Sequence, residues 1–138
     1  MSVKIFENII AQEYIKVHET FKNILDDFYI LEWFNEKNVK LYLLFNESGD
    51  IVSFCLLSKM DRDPLKIYKK PYHLSYIYTF ENYRRQKFAS KLLEYIKNDL
   101  ETTVFCTNNN NKELFEKSGF IFSSFEKLYN SFPIYRFP

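Results

Sequence analysis

The chain has 138 residues, the length of a typical single domain, and is 46% hydrophobic and 27% charged. This balance excludes a disordered chain and favours one compact soluble domain over residues 1–138. Only two glycines occur, Gly49 and Gly119, so the sequence contains neither a GxGxxG dinucleotide-binding turn nor a GxxxxGK[ST] phosphate loop. The net charge of +1 argues against a broad basic surface for nucleic acid, so any phosphate site must be local.

The residues that usually bind metals are few and scattered. Cys55, Cys106, His18 and His73 are not paired at the spacing of zinc ligands, so no metal site is predicted. The cysteines lie in separate apolar runs, which is typical of buried thiols in a reducing compartment. No apolar run is long enough to span a membrane, and the N-terminus lacks a secretory pattern. We therefore expect a cytoplasmic protein with no membrane partner.

The hydrophobic pattern predicts a first strand over residues 3–9, a helix whose apolar positions run from Tyr14 to Leu25, and a second short helix over 28–34. A hairpin follows, with strands over 39–45 and 51–57 joined by a polar loop in which Gly49 supplies a positive φ. The charged stretch 59–70 reads as a loop.

The second half of the chain alternates strands with helices. Strands are predicted over 72–80, 102–107, 120–125 and 132–137, and helices over 88–100 and 112–118, the latter closed by Gly119. This order predicts an α/β (α+β) domain with a mixed central sheet flanked by helices.

One segment concentrates basic residues between a predicted strand and a predicted helix. It reads RRQKFAS over residues 84–90 and contains Arg84, Arg85 and Lys87. The free N–H groups and positive dipole end of a helix attract anions, and these cations add to that attraction. The alternative is a set of solvated charges on a surface loop.

This segment resembles the acyl-CoA-binding motif of the GCN5-related N-acetyltransferases (GNAT), [Q/R]-x-x-G-x-[G/A], with residues 84–89 in that frame. A second family motif, an Asn ahead of a short helix ending in L-Y-E-K-x-G-F, is similar to Asn108 followed by LFEKSGF over 114–120. The resemblance is sharp from about Leu74 to Phe120. It implies a GNAT-like fold with acetyl-CoA as co-substrate.

In that family the loop amides hold the CoA diphosphate, and the preceding strand binds the pantetheine arm through its backbone. The resemblance therefore implies a cofactor site made of Ile77, Tyr78, Thr79, Arg84, Arg85, Gln86, Lys87, Phe88, Ala89, Ser90, Asn108 and Phe115. Two of these depart from the family pattern. Lys87 replaces the central Gly of the loop, and two consequences are open: a reshaped loop backbone, and an added cation beside the diphosphate. Phe115 replaces a Tyr that, in many members, protonates the departing thiolate.

The catalytic candidates follow from the same resemblance. His73 lies in the strand where members often place a Glu base, and its ordinary pKa suits proton transfer near pH 7. Tyr129 or Tyr135, in the C-terminal strand region, is a candidate substitute for the missing acid, and Tyr135 is the one we select. For both His73 and Tyr135 a purely structural role is the alternative.

The predicted reaction is direct transfer of an acetyl group from acetyl-CoA to a primary amine of a small molecule or peptide, with backbone N–H groups near 77–79 stabilising the oxyanion. Presenting a neutral lysine amine at pH 7 costs about 4.6 kcal/mol, against about 1 kcal/mol for an α-amino group. A weak base therefore favours a low-pKa amine such as an N-terminus. Family members commonly form the acceptor side from the first two helices and the last hairpin, so the resemblance implies acceptor candidates in the early helices; the alternative is a solvated helix end with a core tryptophan. The candidates are Asp26, Asp27, Tyr29, Glu32 and Trp33.

Two other functions stay open from the sequence. Lys87, Phe115 and the missing Glu together favour a weakened or inactive acyl-CoA-binding or protein-interaction module on the same fold. An aromatic-rich domain for single-stranded nucleic acid is disfavoured by the neutral net charge. Dimers are frequent in the family, so the resemblance also leaves a homodimer open.

Overall fold

The structure of the chain is a computed structural model that describes residues 1–17, 21, 38–59, 72–99, 104–106, 112–119, 121–126 and 132–137. Its strands are β1 (Ser2–Glu7), β2 (Val39–Phe45), β3 (Ile51–Lys59), β4 (Tyr72–Thr79), β5 (Val104–Cys106), β6 (Ile121–Glu126) and β7 (Phe132–Phe137). Its helices are α1 (Asn8–Val17), α2 (Phe88–Asp99) and α3 (Lys112–Lys117), and a 3-10 turn spans Glu81–Tyr83.

The seven strands form one sheet in the order β1-β2-β3-β4-β5-β7-β6. All neighbouring pairs are antiparallel except β4 and β5, which run parallel. A parallel pair needs a crossover connection, and α2 lies in the chain segment that links β4 to β5. The predicted fold class, an α/β domain with a mixed central sheet and flanking helices, is confirmed.

Helices cover both faces of the sheet, which explains why β2 and β3 are buried almost along their whole length. On one face Ala11 and Ile15 of α1 pack with Leu41 and Phe54. On the other face the apolar stripe of α2 packs with Tyr42 and with Phe115 of α3; the stripe consists of Phe88, Leu92, Leu93 and Ile96. These two clusters form the described core and hold β4 between them.

The predicted hairpin is confirmed, with Gly49 at φ +85° in the loop that joins β2 to β3. Helix α1 starts at Asn8, earlier than the apolar spacing from Tyr14 suggested, because Asn8 takes a φ of 55° and turns the chain directly out of β1. Lys59, predicted in a loop, extends β3, since it pairs with Tyr72 and its N–H bonds Asn38 O at 2.9 Å.

Several predictions fall on residues that the structure does not describe. They are the part of the first helix beyond Val17 apart from Phe21, the short helix over 28–34, the loop over 60–70, the acid candidate Tyr129, and the acceptor candidates Asp26, Asp27, Tyr29, Glu32 and Trp33. Gly119 does close α3, with a φ of +91° just past the helix end. Among the described helices, none combines the length and apolar character that crossing a bilayer requires.

Candidate cofactor cleft

The edge of β4 that faces β5 is only partly paired. On its other side β4 pairs with β3 from Tyr72 to Thr79, whereas its registered pairs with β5 are Tyr72 with Val104 and His73 with Phe105. Strand β5 continues to Cys106 by pairing with β7, so the two parallel strands separate soon after they meet. Within the described chain, the backbone of β4 beyond His73 therefore presents an edge that no strand covers.

A bulge lies at the point of separation. Leu56 pairs with Tyr76 and Leu57 pairs with Leu74, so Ser75 is an extra residue on β4. A bulge bends its strand and increases the local twist, and bulges are frequent beside functional sites. The bend accounts for the divergence of β4 from β5.

The turn between the 3-10 segment and α2 has an unusual backbone. Arg85 has a φ of 66° and Lys87 a φ of 62°, both in the left-handed region that costs a residue with a Cβ about 1–2 kcal/mol. Lys87 stands where the GNAT loop carries glycine, and its backbone holds the conformation that glycine adopts without strain. The lysine therefore keeps the backbone of the loop in a glycine-like shape.

This backbone leaves a row of amides without acceptors at the start of α2. The first helical hydrogen bond runs from Lys91 N–H to Lys87 O, at 3.0 Å. In the part of the chain that the structure describes, the N–H groups of residues 86–90 bond no acceptor. Unpaired amides and the helix dipole together form an anion-binding position.

The basic side chains of this segment have different surroundings, although all three are exposed. Arg84 turns back over β4: its Nε donates to Thr79 O at 2.9 Å, and its guanidinium lies 5.2 Å from the centre of the Tyr78 ring. Arg85 and Lys87 form no ion pair with another described residue. Their charges therefore add directly to the positive potential of the helix start.

The amides, cations and β4 edge meet in one open cleft of about 470 Å³. The residues that line it are Ile77, Tyr78, Thr79, Tyr83, Arg84, Arg85, Lys87, Phe88, Ala89, Ser90 and Leu114. Nine of these are residues that the sequence predicted for a cofactor. At the start of α2 the cleft offers main-chain donors for a diphosphate. At the edge of β4 it offers a strand edge along which an extended chain can bind.

Two predicted cofactor residues do not line the cleft, and a third is outside the described residues. Gln86 is exposed in the turn but does not line the cleft, and Asn108 lies outside the described residues. Phe115 is fully buried and packs with the α2 stripe, so its neighbour Leu114 lines the cleft instead. Leu114 and Tyr83 line the cleft but were not predicted from the sequence. Leu114 precedes Phe115 and Tyr83 precedes Arg84, and this proximity to the two motifs was the only sequence signal for them.

The catalytic candidates lie toward the other end of β4. His73 is half-buried, and desolvation lowers its pKa to about 4, so the imidazole is neutral at pH 7. Tyr135 is placed by its backbone, which pairs with Cys106 on β5, one residue beyond the Phe105 that pairs with His73. The register thus puts His73 and Tyr135 at nearby levels on strands separated by β5, about 10 Å apart across the sheet.

Comparison with known proteins identifies the class. The family model described as "Acetyltransferase (GNAT) family" matches residues 5–120. The chain therefore belongs to the GNAT acetyltransferases, which confirms the resemblance seen in its sequence and makes it an N-acetyltransferase by class. No curated protein sequence matches it significantly.

Solved structures share the fold at low sequence identity. GCN5 of Tetrahymena is 12% identical with a TM-score of 0.70, covering 99% of this chain and 94% of that one. NAA60 of Arabidopsis thaliana, in complex with acetyl-CoA, is 12% identical with a TM-score of 0.58, covering 99% and 98%. The ribosomal-protein-alanine N-acetyltransferase of Brucella melitensis is 13% identical with a TM-score of 0.56, covering 85% and 90%.

Proposed function

We propose that this chain binds acetyl-CoA in the cleft and transfers the acetyl group directly to a primary amine of low pKa, such as an N-terminus. The observation that carries the proposal is the row of amides at residues 86–90, which bond no acceptor among the described residues. Residues 87–90 line the same cleft as the edge of β4 that no described strand covers. A diphosphate fits the amides, and a pantetheine arm fits a strand edge. The solved complex of Arabidopsis NAA60 with acetyl-CoA supports this ligand for the shared fold.

In the proposed reaction the amine nitrogen attacks the thioester carbonyl, the C–N bond forms, and the CoA thiolate leaves. Main-chain N–H groups of β4 near 77–79, on the edge that β5 leaves open, stabilise the oxyanion. The thiolate needs little help, because a thiol pKa near 8.5 lies only about 1.5 units above neutral pH. Losing an acid at the Phe115 position therefore costs at most about 2 kcal/mol, and we propose Tyr135 as the proton donor.

The neutral imidazole of His73 restricts the acceptor. Moving a proton from an α-ammonium group of pKa about 7.8 to a base of pKa about 4 is uphill by about 5 kcal/mol, and from a lysine by about 9 kcal/mol. The amine must therefore arrive neutral, which favours an α-amino group. We propose that His73 takes the proton after attack, when bonding to carbon has made the nitrogen far more acidic. The name of the Brucella enzyme, an alanine N-acetyltransferase, is consistent with such an acceptor.

Calorimetric titration with acetyl-CoA, followed by thiol release over matched peptides, tests the proposal. One peptide carries a free N-terminus and blocked lysine, and its partner of the same sequence carries a blocked N-terminus and free lysine. We expect saturable binding and faster thiol release with the free N-terminus. No binding would contradict the acetyl-CoA proposal, whereas binding with a preference for free lysine would contradict only the acceptor class.

A second candidate is a module that binds acyl-CoA without turning it over. It is favoured by the full burial of Phe115 at the family's acid position and by the low pKa of His73, since neither offers strong acid–base chemistry at pH 7. Tight binding without thiol release, for every amine offered, would select this candidate. The single-domain organisation, a cytoplasmic location and a homodimer stay predictions from the sequence.

A further inference from the structure

The side chain of Arg84 occupies an unexpected place in the cleft. Instead of extending along the loop, it donates Nε–H to the carbonyl of Thr79, the last residue of β4, at 2.9 Å. Its guanidinium also covers the Tyr78 ring at 5.2 Å, within cation–π range. Both contacts are with β4 residues: Thr79 and Tyr78 precede Arg84 by five and six residues.

The end of β4 is held from its other side as well. The buried Ser53 of β3 donates its hydroxyl to Tyr78 O at 2.8 Å and lies 3.1 Å from Thr79 Oγ1. The N–H of Phe80 bonds Val52 O at 3.0 Å. The Thr79 carbonyl that accepts the Arg84 hydrogen bond is therefore part of a strand end held by several hydrogen bonds. The Arg84 side chain ties the turn to this strand end.

We infer that Arg84 is a positioning residue for acetyl-CoA rather than a ligand of its phosphates. Its contacts with Thr79 and Tyr78 close the turn over residues 80–83 and fix the distance between the β4 edge and the amides of 86–90. That distance must match the separation of pantetheine and diphosphate in one CoA molecule. The inference rests on the proposed function, and it leaves Arg85 and Lys87 as the cations that face the phosphates.

The two roles require different chemistry from the arginine. A phosphate cation needs only its charge, which lysine also provides. The Nε–H bond to Thr79 together with a guanidinium 5.2 Å from the Tyr78 ring depends on the length and branched shape of arginine. The test therefore compares Arg84→Lys and Arg84→Gln with the matched pair Arg85→Lys and Arg85→Gln. Arg85 is the neighbouring arginine, is exposed, and lines the same cleft.

We expect Arg84→Lys and Arg84→Gln to raise the KM for acetyl-CoA equally, by about tenfold, the effect of a lost hydrogen bond and cation–π contact. The KM of Arg85→Lys for acetyl-CoA should stay near the wild-type value, and the KM of Arg85→Gln should rise. With S-acetyl-pantetheine, a donor that lacks the diphosphate, the KM of both Arg84 variants should equal that of wild type. If Arg84 had a merely structural role, its variants would change the KM for both donors together or for neither.

Tyr78→Leu provides an independent variant, because it removes the ring under the guanidinium and leaves every charge in place. It should raise the KM for acetyl-CoA several-fold and add little to Arg84→Lys in the double variant. Wild-type affinity in Arg84→Lys with a loss in Arg84→Gln would overturn the inference in favour of a phosphate ligand. No saturation of the wild-type chain by acetyl-CoA would instead refute the proposed function, and the inference with it.

Discussion

The hydroxyl of Tyr42, a fully buried residue of β2, donates a 2.7 Å hydrogen bond to Oδ2 of Asp99, the last residue of α2. A carboxylate is unfavourable beside the negative end of a helix dipole, and the tyrosine supplies a compensating donor. Burial, followed by the hydrogen bond to Asp99, raises the pKa of Tyr42. The contact ties the central sheet to the far end of the helix whose start forms the cleft.

Tyr42→Phe should lower the free energy of unfolding by about 1–2 kcal/mol, because it removes a hydrogen bond to a charged acceptor and changes little else. Denaturant titration measures the effect. Tyr95→Phe is the matched control, since Tyr95 is exposed and meets Tyr42 edge-on at 6.2 Å, and it should stay within about 0.5 kcal/mol of wild type. Equal stabilities for Tyr42→Phe and wild type would show that the bond contributes nothing.

Lys87→Gly separates backbone strain from charge. With a φ of 62° at this position, glycine should raise the free energy of unfolding by about 1 kcal/mol, and acetyl-CoA should bind more weakly at low salt because a cation is lost. Lys87→Asn is the control, since asparagine tolerates the left-handed region and carries no charge. The cation hypothesis fails if Lys87→Gly binds acetyl-CoA at least as tightly as wild type across a salt series.

Stability should depend on pH through His73. Its folded pKa of about 4 lies below the unfolded value of about 6.5, so the unfolded chain binds the extra proton in this window. The stabilisation is complete above pH 6.5 and declines as the pH falls toward 4, by about 2 kcal/mol at pH 5. Denaturant titrations at pH 8 and pH 5 should show a smaller decline in His73→Gln. Equal declines in both chains would contradict desolvation of the imidazole.

Gly49→Ala tests the hairpin loop. The φ of +85° is strained for alanine, while an added Cβ would meet nothing within 4 Å, so the expected loss of about 1 kcal/mol comes from the backbone alone. Ser48→Ala, an exposed change in the same turn, should be close to neutral. Thermal unfolding of both variants provides the measurement, and a neutral Gly49→Ala would argue against a left-handed residue there.

The sequence predicted the parts of this molecule that depend on local chemistry. The hairpin at Gly49, the closure of α3 by Gly119, and the switch from strand to helix around Arg84 each follow from turn residues and hydrophobic period. Such signals lie within a few neighbouring residues. Most residues that line the cleft are predicted cofactor residues for the same reason, since its amides come from one continuous loop.

The remaining features depend on packing between distant segments. Phe115 and Leu114 are adjacent apolar residues of α3, and only the contact of α3 with α2 decides that Phe115 is buried and Leu114 lines the cleft. The ordinary pKa of histidine gave no indication that His73 would be desolvated on β4. The contact of Arg84 with Thr79 depends on the three-dimensional path of the turn, so the sequence showed only a cation beside a helix start.

The amides of residues 86–90, which bond no acceptor within the described chain, belong to the main chain. Replacing any of these side chains therefore leaves the donors present, with proline as the exception because it has no N–H group. The recognition surface is therefore encoded mainly by torsion angles rather than by residue identity. A loop of this kind can diverge widely in sequence while it keeps its ligand. Sequence change in this loop is then limited mainly at Arg85 and Lys87, where the new residue must tolerate a left-handed φ. Sequence similarity does not measure that constraint.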